Sequence, residues 1–331
     1  MSSITFLGDV WLPRPFKSSV EIPGEFVFNL ESPITKTSNH ASGKICLKSE
    51  TNFVTETFGK KPIAVCLANN HIMDYGVDGF ADTLTEMDKS GIRYFGAGTL
   101  EQNCRNPLML HIGANRVALL GYVCPTTHPI FATKESPGVM LLSLEQISAD
   151  VLACRQNGAS RVIVHLHWGM EEVHMPRLQD INIAHRIAEM GADLIIGHHS
   201  HCIQSCEYYS GKPIFYGIGN CIFPDFSASE VRGGYWKKQR FWNRRSLAIC
   251  YDLTSASVTP RGLCFSGDHL KTASFNPAKW QAEFVGLNES NYQQRHQRHV
   301  RFTSLRSAAS RFLARPKLPR WHHLRILFGG N

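Results

Sequence analysis

Five segments of the sequence place carboxylate, carboxamide or imidazole side chains at the point where an apolar run stops. In chain order, the residues concerned are Asp9, then Asn29 and Glu31, then Asn69, Asn70 and His71, then His165 and His167, and finally His198, His199 and His201. Groups just past the carboxyl ends of the strands of an α/β sheet share one crevice. Carboxylates and an amide oxygen can bind divalent cations, and neutral imidazole suits Zn, Mn or Fe. The set therefore predicts a metal centre.

Each of these residues taken singly has a simpler structural explanation. Asp9 could cap a helix, Glu31 could be a solvated acid in a turn, and a lone histidine at a strand end is usually hydrogen-bonded and structural. His165 precedes His167 by two positions, so strand alternation turns both to the same side. There His165 would support a ligand or be one itself. Only the whole set favours metal binding.

The elements that would position these side chains alternate between strands and helices over residues 1–270. The helical periodicity of residues 78–89 is followed by a strand at 92–95, which indicates a βαβ unit. The apolar runs 108–112 and 116–121 flank a turn and predict an antiparallel hairpin. Parallel units mixed with hairpins favour an α/β fold in which two mixed sheets form a layered sandwich flanked by helices.

Positive charge is concentrated at one end of the 331-residue chain. The net charge is +8, and residues 271–331 hold eleven Lys and Arg against two acids. We therefore predict a globular domain at 1–270 and a basic C-terminal tail at 271–331 that is partly helical or disordered. Clustered basic and apolar residues favour contact with anionic lipid or an acidic polymer, although a solvated terminus without a partner is the alternative. Nucleic acid is disfavoured because no nucleic-acid-binding fold accompanies the charge.

The sequence also gives an expectation for the cellular compartment. It shows no apolar run of eighteen residues and no secretory signal. The ten cysteines lack paired CxxC spacing, and several lie in apolar runs, as reduced buried thiols do. We predict a cytoplasmic protein with possible peripheral membrane contact through its tail.

Seven short blocks occur along the chain in a fixed order. They are Gly8-Asp9, Asn29–Pro33, Ala68–His71 with Asp74–Gly76, His167–Glu171, Gly191–Asp193, Gly197–His201 and Tyr216–Asn220. This order resembles the CapA family of bacterial capsule and poly-γ-glutamate synthesis proteins, which is similar to calcineurin-like metallophosphoesterases. The resemblance covers about residues 4–265, and it implies a metallophosphoesterase-like sandwich.

The resemblance implies a role for each matching residue. Six side chains would hold one or two divalent ions of Mn, Zn or Fe: Asp9 and His201 at the first ion, Asn70, His167 and His199 at the second, and Glu31 between them. His71 would be the general acid, and Asp74 would orient its ring. His198, Glu171 and Asn220 would contact the substrate.

Trp11 departs from the pattern of ordinary metallophosphoesterases, which carry a histidine two residues after the first aspartate. The first ion then lacks one ligand, so the site could hold one ion firmly and a second weakly. A smaller departure is Cys221, which follows Asn220 where the family usually has Phe, and it concerns substrate contacts more than metal.

The predicted function is that of a CapA-type, phosphoesterase-like metal-dependent hydrolase in the synthesis of a capsule or a poly-γ-glutamate-type polymer. An anionic polymer or a phosphoester would be its substrate. Two alternatives use the same residues. The protein could be a non-catalytic accessory or binding protein of polymer synthesis, or it could hydrolyse a γ-glutamyl amide bond.

Overall fold

The computed structural model describes residues 2–226, 238–276 and 288–314. The chain divides into two compact units, Met1–Gly286 and Leu287–Asn331. The boundary predicted at residue 270 falls inside a paired strand, His269–Ala273, and the first unit continues beyond it.

The described part of the first unit contains seventeen strands and four α-helices. The strands are β1 (Ser3–Val10), β2 (Lys17–Ser18), β3 (Glu25–Leu30), β4 (Ala64–Cys66), β5 (Arg93–Phe95), β6 (Ala97–Gly98), β7 (Leu108–Ile112), β8 (Asn115–Val123), β9 (Gly138–Val139), β10 (Arg161–His167), β11 (Leu194–His198), β12 (Cys206–Tyr209), β13 (Lys212–Phe215), β14 (Asn220–Ile222), β15 (Arg245–Asp252), β16 (Val258–Ser266) and β17 (His269–Ala273). The helices are α1 (Val54–Phe58), α2 (Gly76–Ser90), α3 (Leu144–Gln156) and α4 (Leu178–Glu189).

Fifteen of these strands form two large mixed sheets, and β6 and β9 form a separate two-stranded sheet. The larger has the order β2-β17-β16-β15-β1-β3-β4-β5, with β14 also paired to β1. In it, β1, β3, β4 and β5 run parallel, whereas β15, β16 and β17 pair antiparallel. The smaller has the order β12-β13-β11-β10-β8-β7, with parallel strands at its centre and antiparallel strands at both edges. Helix α2 contacts β5, α3 contacts β10 and α4 contacts β11. The predicted layered α/β sandwich is confirmed.

One hydrophobic core joins the two sheets. Phe28 of β3 and Ile163 of β10 belong to the same buried cluster, and burying each such side chain contributes about 1.5–3 kcal/mol. The His165 ring of β10 lies between Phe6 and Phe95 of the larger sheet, at 5.3 Å from each ring centroid. Because His165 is buried in this apolar layer, its role is not to contact solvent.

Local sequence signals correctly predicted which elements near the site are helices and which are strands. The predicted helix is α2, which ends at Gly91 in the left-handed conformation with φ of 60°. It connects the parallel strands β4 and β5, so the βαβ unit is confirmed. The predicted hairpin is the antiparallel pair β7 and β8.

The described part of the second unit is a helix, α5 (Glu289–Ala314). Arg295, Arg298 and Arg301 are exposed along it. Pro316 and Pro319, which would interrupt a helix in the tail, lie outside the described residues. Across the residues that are described, no helix combines the length and apolar character needed to cross a bilayer.

Candidate metal centre

The predicted ligands come from the ends of parallel strands in both sheets. Asp9 is the penultimate residue of β1, Glu31 follows β3 directly, and His167 is the last residue of β10. One ligand atom from each of these three buried residues lies within 4.8 Å of the others. Residues that are distant in the sequence are thus brought to one point, as the strand-end pattern predicts.

Gly8 allows the backbone to place Asp9 at this point. A Cβ atom on residue 8 would lie 1.8 Å from the carbonyl oxygen of Gly219, so no other residue fits there. The Asp9 amide donates a hydrogen bond to the same oxygen at 3.1 Å. The β1 register also shifts between Leu7 and Asp9 relative to β3. This irregularity turns the Asp9 side chain toward the end of the sheet.

A buried asparagine orients the two carboxylates. Asn29 donates from Nδ2 to Asp9 Oδ1 at 2.9 Å and also to Glu31 Oε2. Its own Oδ1 accepts a hydrogen bond from Asn69 Nδ2 at 3.0 Å. Asn29 had no predicted role of its own. The available signal was its position two residues before Glu31, which places both on the same side of the chain.

The imidazoles of two further segments face the carboxylates. His167 Nε2 lies 2.8 Å from Asn70 Oδ1 and 3.5 Å from Glu31 Oε1. His201 Nδ1 lies 3.5 Å from Asp9 Oδ2. The ring centroid of His199 lies 4.8 Å from that of His167. The structure therefore brings all six predicted ligands into one cluster.

The turn that carries His199 and His201 has an unusual backbone. Their φ angles are +82° and +52°, a region that residues other than glycine rarely occupy. Each such residue costs on the order of 1–3 kcal/mol, and such residues concentrate at functional sites. The conformation directs both rings into the same cavity.

Burial sets the protonation of this cluster. It raises the pKa of Glu31 well above the ordinary value, and repulsion from Asp9 adds to that rise. Burial opposes ionisation of Asp9 too, yet the hydrogen bond and charge of His198 bring the pKa of Asp9 below its ordinary value. Burial holds the pKa of His167 well below normal and lowers that of His199 to about 4. Both rings are therefore neutral at pH 7, as metal ligands must be.

Several atoms of the cluster have no partner that would explain their burial. Among the described residues, Glu31 Oε1, His167 Nδ1 and His199 Nδ1 are buried without a hydrogen bond. A buried polar group left unpaired costs about 1–3 kcal/mol. Carboxylate oxygens and neutral imidazoles fit a divalent cation of the Zn, Mn or Fe type. The donor set therefore fits the predicted metal.

The predicted acid and its orienting carboxylate are in direct contact. His71 Nδ1 lies 2.7 Å from Asp74 Oδ2. The same carboxylate accepts the Leu47 amide at 2.7 Å and lies 2.6 Å from Lys44 Nζ. Lys44, which the sequence analysis did not single out, also donates to the carbonyl oxygen of Asn70.

A cavity of about 320 Å³ opens beside the cluster. His71, Glu171 and Asn220 line it, together with Lys44 and Phe223. Two of the three predicted substrate contacts, Glu171 and Asn220, are thus at the cavity wall.

The third predicted substrate contact, His198, is buried and absent from that lining. Its Nδ1 lies 2.9 Å from Asp9 Oδ1. Asn220, besides facing the cavity, lies with Oδ1 2.8 Å from His201 Nδ1. That contact leaves Nε2 as the nitrogen of His201 available to an ion.

Trp11 stands where a histidine ligand would be expected, and it is buried behind the cavity wall. Its indole packs against Phe223 and Phe226, with ring centroids 5.5 and 5.6 Å away. Its Nε1 donates to the carbonyl oxygen of Lys48 at 3.0 Å. The position thus supports Phe223 and Phe226, which line the cavity, instead of providing a metal ligand.

Comparison with known proteins places the chain in a family. The family described as bacterial capsule synthesis protein PGA_cap matches residues 24–225. The chain belongs to this family. The match includes all the short sequence blocks from Asn29 to Asn220, whereas Gly8 and Asp9 precede it.

Three known proteins with related names are 30–31% identical to this chain. The capsule biosynthesis protein CapA of Bacillus anthracis is 31% identical over 245 residues, which cover 67% of this chain and 59% of that protein. The PGA biosynthesis protein CapA of Bacillus subtilis is 30% identical, covering 67% and 63%. A "probable polyglutamine synthesis accessory protein" of Mycobacterium tuberculosis is 31% identical, covering 59% and 54%. The chain therefore spans little more than half the length of these relatives.

Among solved structures, a 5'-nucleotidase from Candida albicans aligns with 91% of this chain and 57% of its own. The TM-score is 0.45 and the sequence identity is 9%. A similarity at this level does not define a function.

Proposed function

We propose that this chain is a metal-dependent hydrolase with phosphoester-like chemistry that acts in the synthesis of a capsule or a poly-γ-glutamate-type polymer. One observation carries the proposal. The buried cluster of Asp9, Glu31 and His167, drawn from three strands and two sheets, adjoins a cavity lined by His71, whose ring contacts the buried Asp74.

The residues divide into those that hold an ion and those that handle protons. Asp9, Glu31, Asn70, His167, His199 and His201 would hold one or two divalent ions. A bound divalent cation supplies activation of water and polarisation of the ester group. His71, oriented through Nδ1 by Asp74, presents Nε2 to donate a proton to the leaving oxygen. Glu171 and Asn220 border the space the substrate would occupy.

The cavity favours an anionic substrate. Lys44 lies on its wall but is paired with Asp74, so the uncompensated positive charge there would come from a bound ion. Both an anionic polymer and a phosphoester carry the matching charge. The names of the relatives from Bacillus and Mycobacterium point to capsule or polyglutamate-type polymers, which supports the polymer.

A non-catalytic accessory role is the second candidate. Trp11 removes one imidazole from the position of the first ion, and the relative from Mycobacterium tuberculosis is described as an accessory protein. In this case the cluster would bind metal or polymer without turnover. Hydrolysis of a γ-glutamyl amide would use the same residues as ester hydrolysis. The cytoplasmic location stays a prediction from the sequence.

Metal content and turnover, measured together, test these functions. Protein purified without chelators is expected to contain Mn, Zn or Fe and to hydrolyse a nitrophenyl phosphomonoester or phosphodiester. Asp9→Asn should lose metal and activity, whereas His71→Ala should keep the metal and lose activity. Asp78→Asn, at an exposed position of α2, is the matched control.

Each outcome of this experiment selects one function. Protein that neither contains these metals nor takes them up contradicts the metal centre. Bound metal without turnover of any ester supports the accessory role. Cleavage of a γ-glutamyl nitroanilide alone supports amide hydrolysis.

A further inference from the structure

Two buried histidines form a chain that ends on Asp9. His198 Nδ1 lies 2.9 Å from Asp9 Oδ1, and His198 Nε2 lies 3.2 Å from His165 Nδ1. The two imidazole rings are stacked with centroids 5.4 Å apart and planes 7° apart. Neither ring lines the cavity, so neither is placed to touch a substrate.

The Asp9 carboxylate at the end of this series of hydrogen bonds determines which ring nitrogens of His198 and His165 carry protons. The carboxylate of Asp9 only accepts hydrogen bonds, so His198 must carry its proton on Nδ1. In a neutral His198 ring, Nε2 is then a lone pair, and it accepts from the Nδ1–H of His165. This pair of tautomers makes both hydrogen bonds.

These contacts give the two oxygens of Asp9 different surroundings. Oδ1 accepts two hydrogen bonds of 2.9 Å, from His198 Nδ1 and from Asn29 Nδ2. Oδ2 receives only a longer contact from the His199 amide at 3.3 Å and faces His201 at 3.5 Å. Oδ2 is therefore the oxygen directed toward the other ligands.

We propose that His198, held in place by His165, is a positioning residue that fixes the Asp9 carboxylate with Oδ2 presented to the ion. This inference rests on the proposed function, in which Asp9 is a metal ligand. Trp11 leaves the first ion one imidazole short, so the orientation of Asp9 matters more for that ion. His198 meets this need by orienting the carboxylate and not by direct ligation.

Metal affinity is the property that a positioning role should change. We would titrate Mn²⁺ into metal-free full-length protein by calorimetry and count bound ions by elemental analysis. His198→Ala is expected to weaken binding by about 10–100-fold, as removal of a partner that orients a ligand does, with the number of ions unchanged. His198→Asn should recover most of the affinity because its Nδ2–H can donate to Asp9 Oδ1. His185→Ala is the matched control. His185 lies on helix α4, outside the cluster, and pairs with Glu207 of β12.

Two results would overturn the proposal. Wild-type affinity in His198→Ala would show that Asp9 needs no such support. Loss of a whole ion in both His198→Ala and His198→Asn would show that His198 is itself a ligand. Thermal unfolding in chelator establishes that each variant is folded.

The tautomer of His198 gives a second readout that needs neither metal nor turnover. Nitrogen NMR of histidine-labelled, metal-free wild-type protein should show the proton on Nδ1 of both His165 and His198. A proton on Nε2 alone of His198 would contradict the chain of hydrogen bonds, even if His198→Ala failed to fold. If the wild-type protein bound no metal, the proposed function would fall, while this spectrum would still report on the contact between His198 and Asp9.

Discussion

The Asp74 carboxylate connects three groups at the edge of the candidate centre. It contacts the ring of His71, the ammonium group of Lys44 and the backbone amide of Leu47. The Leu47 amide and Lys44 fix the carboxylate, and the carboxylate fixes the imidazole. The side chain that would donate a proton is therefore positioned by a network that includes a loop far from it in sequence.

Replacing Asp74 should affect turnover without removing the metal. In Asp74→Asn, the neutral amide can no longer pair with Lys44 as an anion, and His71 has at most an amide oxygen in place of its carboxylate acceptor. We expect kcat to fall by about 10–100-fold, the usual effect of losing such a supporting contact, with bound metal unchanged by elemental analysis. Asp78→Asn, four residues later in the first turn of α2 and exposed, should behave as wild type. Unchanged kcat in Asp74→Asn would contradict the role given to this pair.

Glu31 is expected to lower the stability of the metal-free protein. Its pKa is raised in the folded state, so the folded protein keeps this proton at pH values where the unfolded chain has lost it. The stability that this proton provides at low pH is lost as the pH rises toward the raised pKa. Glu31 thus lowers the stability of the metal-free protein while it stays in place as a candidate ligand.

Glu31→Gln should therefore stabilise the protein when metal is absent. In chelator at pH 8 we expect its Tm to exceed that of wild type by about 2–4 °C, which corresponds to about 1 kcal/mol in a large domain. The difference should shrink at pH 5. Glu21→Gln, at an exposed position, should leave Tm unchanged at both pH values. A variant that is less stable than wild type at pH 8 in chelator would contradict this account.

Among the elements, β1 bears the strongest constraint. Strand β15 pairs with the first half of β1, and β14 takes over beside Asp9 and Val10. Because β14 approaches so closely, the chain passes the carbonyl of Gly219 at a point where only a residue without Cβ fits. The position of Asp9 depends on this crossing.

Gly8→Ala should consequently disturb both the fold and the centre. We expect a loss of about 3 kcal/mol or more in the free energy of unfolding, at the upper end for overpacking, together with reduced metal content. Denaturant unfolding measures the first effect and elemental analysis the second. The control is Gly267→Ala, in the turn between β16 and β17, where φ is +58° and no atom would touch the new Cβ. That change should cost only about 1–2 kcal/mol and leave metal binding intact. Equal losses in the two variants would contradict the crowding argument.

The limits of sequence reasoning are clearest in these same elements. Strand ends on β3, β4 and β10 were predictable because apolar runs and periodicity are local signals. The insertion of β14 beside β1 was not, because that pairing joins residues about 200 positions apart. The direction of His198 also escaped prediction. It depends on where the adjoining turn, with its positive φ angles at His199 and His201, leaves the strand.

On the scale of the whole molecule, the two units differ in their charge. The basic residues concentrate beyond residue 270, and the described part of the second unit is the helix α5 with exposed arginines. Each basic residue near an anionic surface contributes about 1 kcal/mol of attraction. Contact of this helix with anionic lipid or polymer stays a prediction, which vesicle binding can test.

Neutralising three of these arginines should reduce binding to anionic vesicles. In the full chain, Arg295, Arg298 and Arg301 would be replaced together by Gln, and sedimentation with phosphatidylserine vesicles should fall by at least about tenfold at low salt. A triple variant of exposed residues in the first unit, Lys36→Gln, Arg93→Gln and Lys134→Gln, carries the same change in net charge. It should sediment as wild type does. Equal losses in both variants would mean that net charge alone, and not the helix, governs the contact.

The ligands of the candidate centre come from both layers of the sandwich, with Asp9 and Glu31 on one sheet and His167 on the other. A cation held by all three would act as a crosslink between the layers, adding to the hydrophobic contact between them. Saturation at about 100 times the dissociation constant stabilises a folded protein by about 2.7 kcal/mol. Amide hydrogen exchange at the carboxyl ends of β1, β3 and β10 should therefore speed up together when the ion is chelated. Such a result would mean that the ion also holds the two sheets against each other.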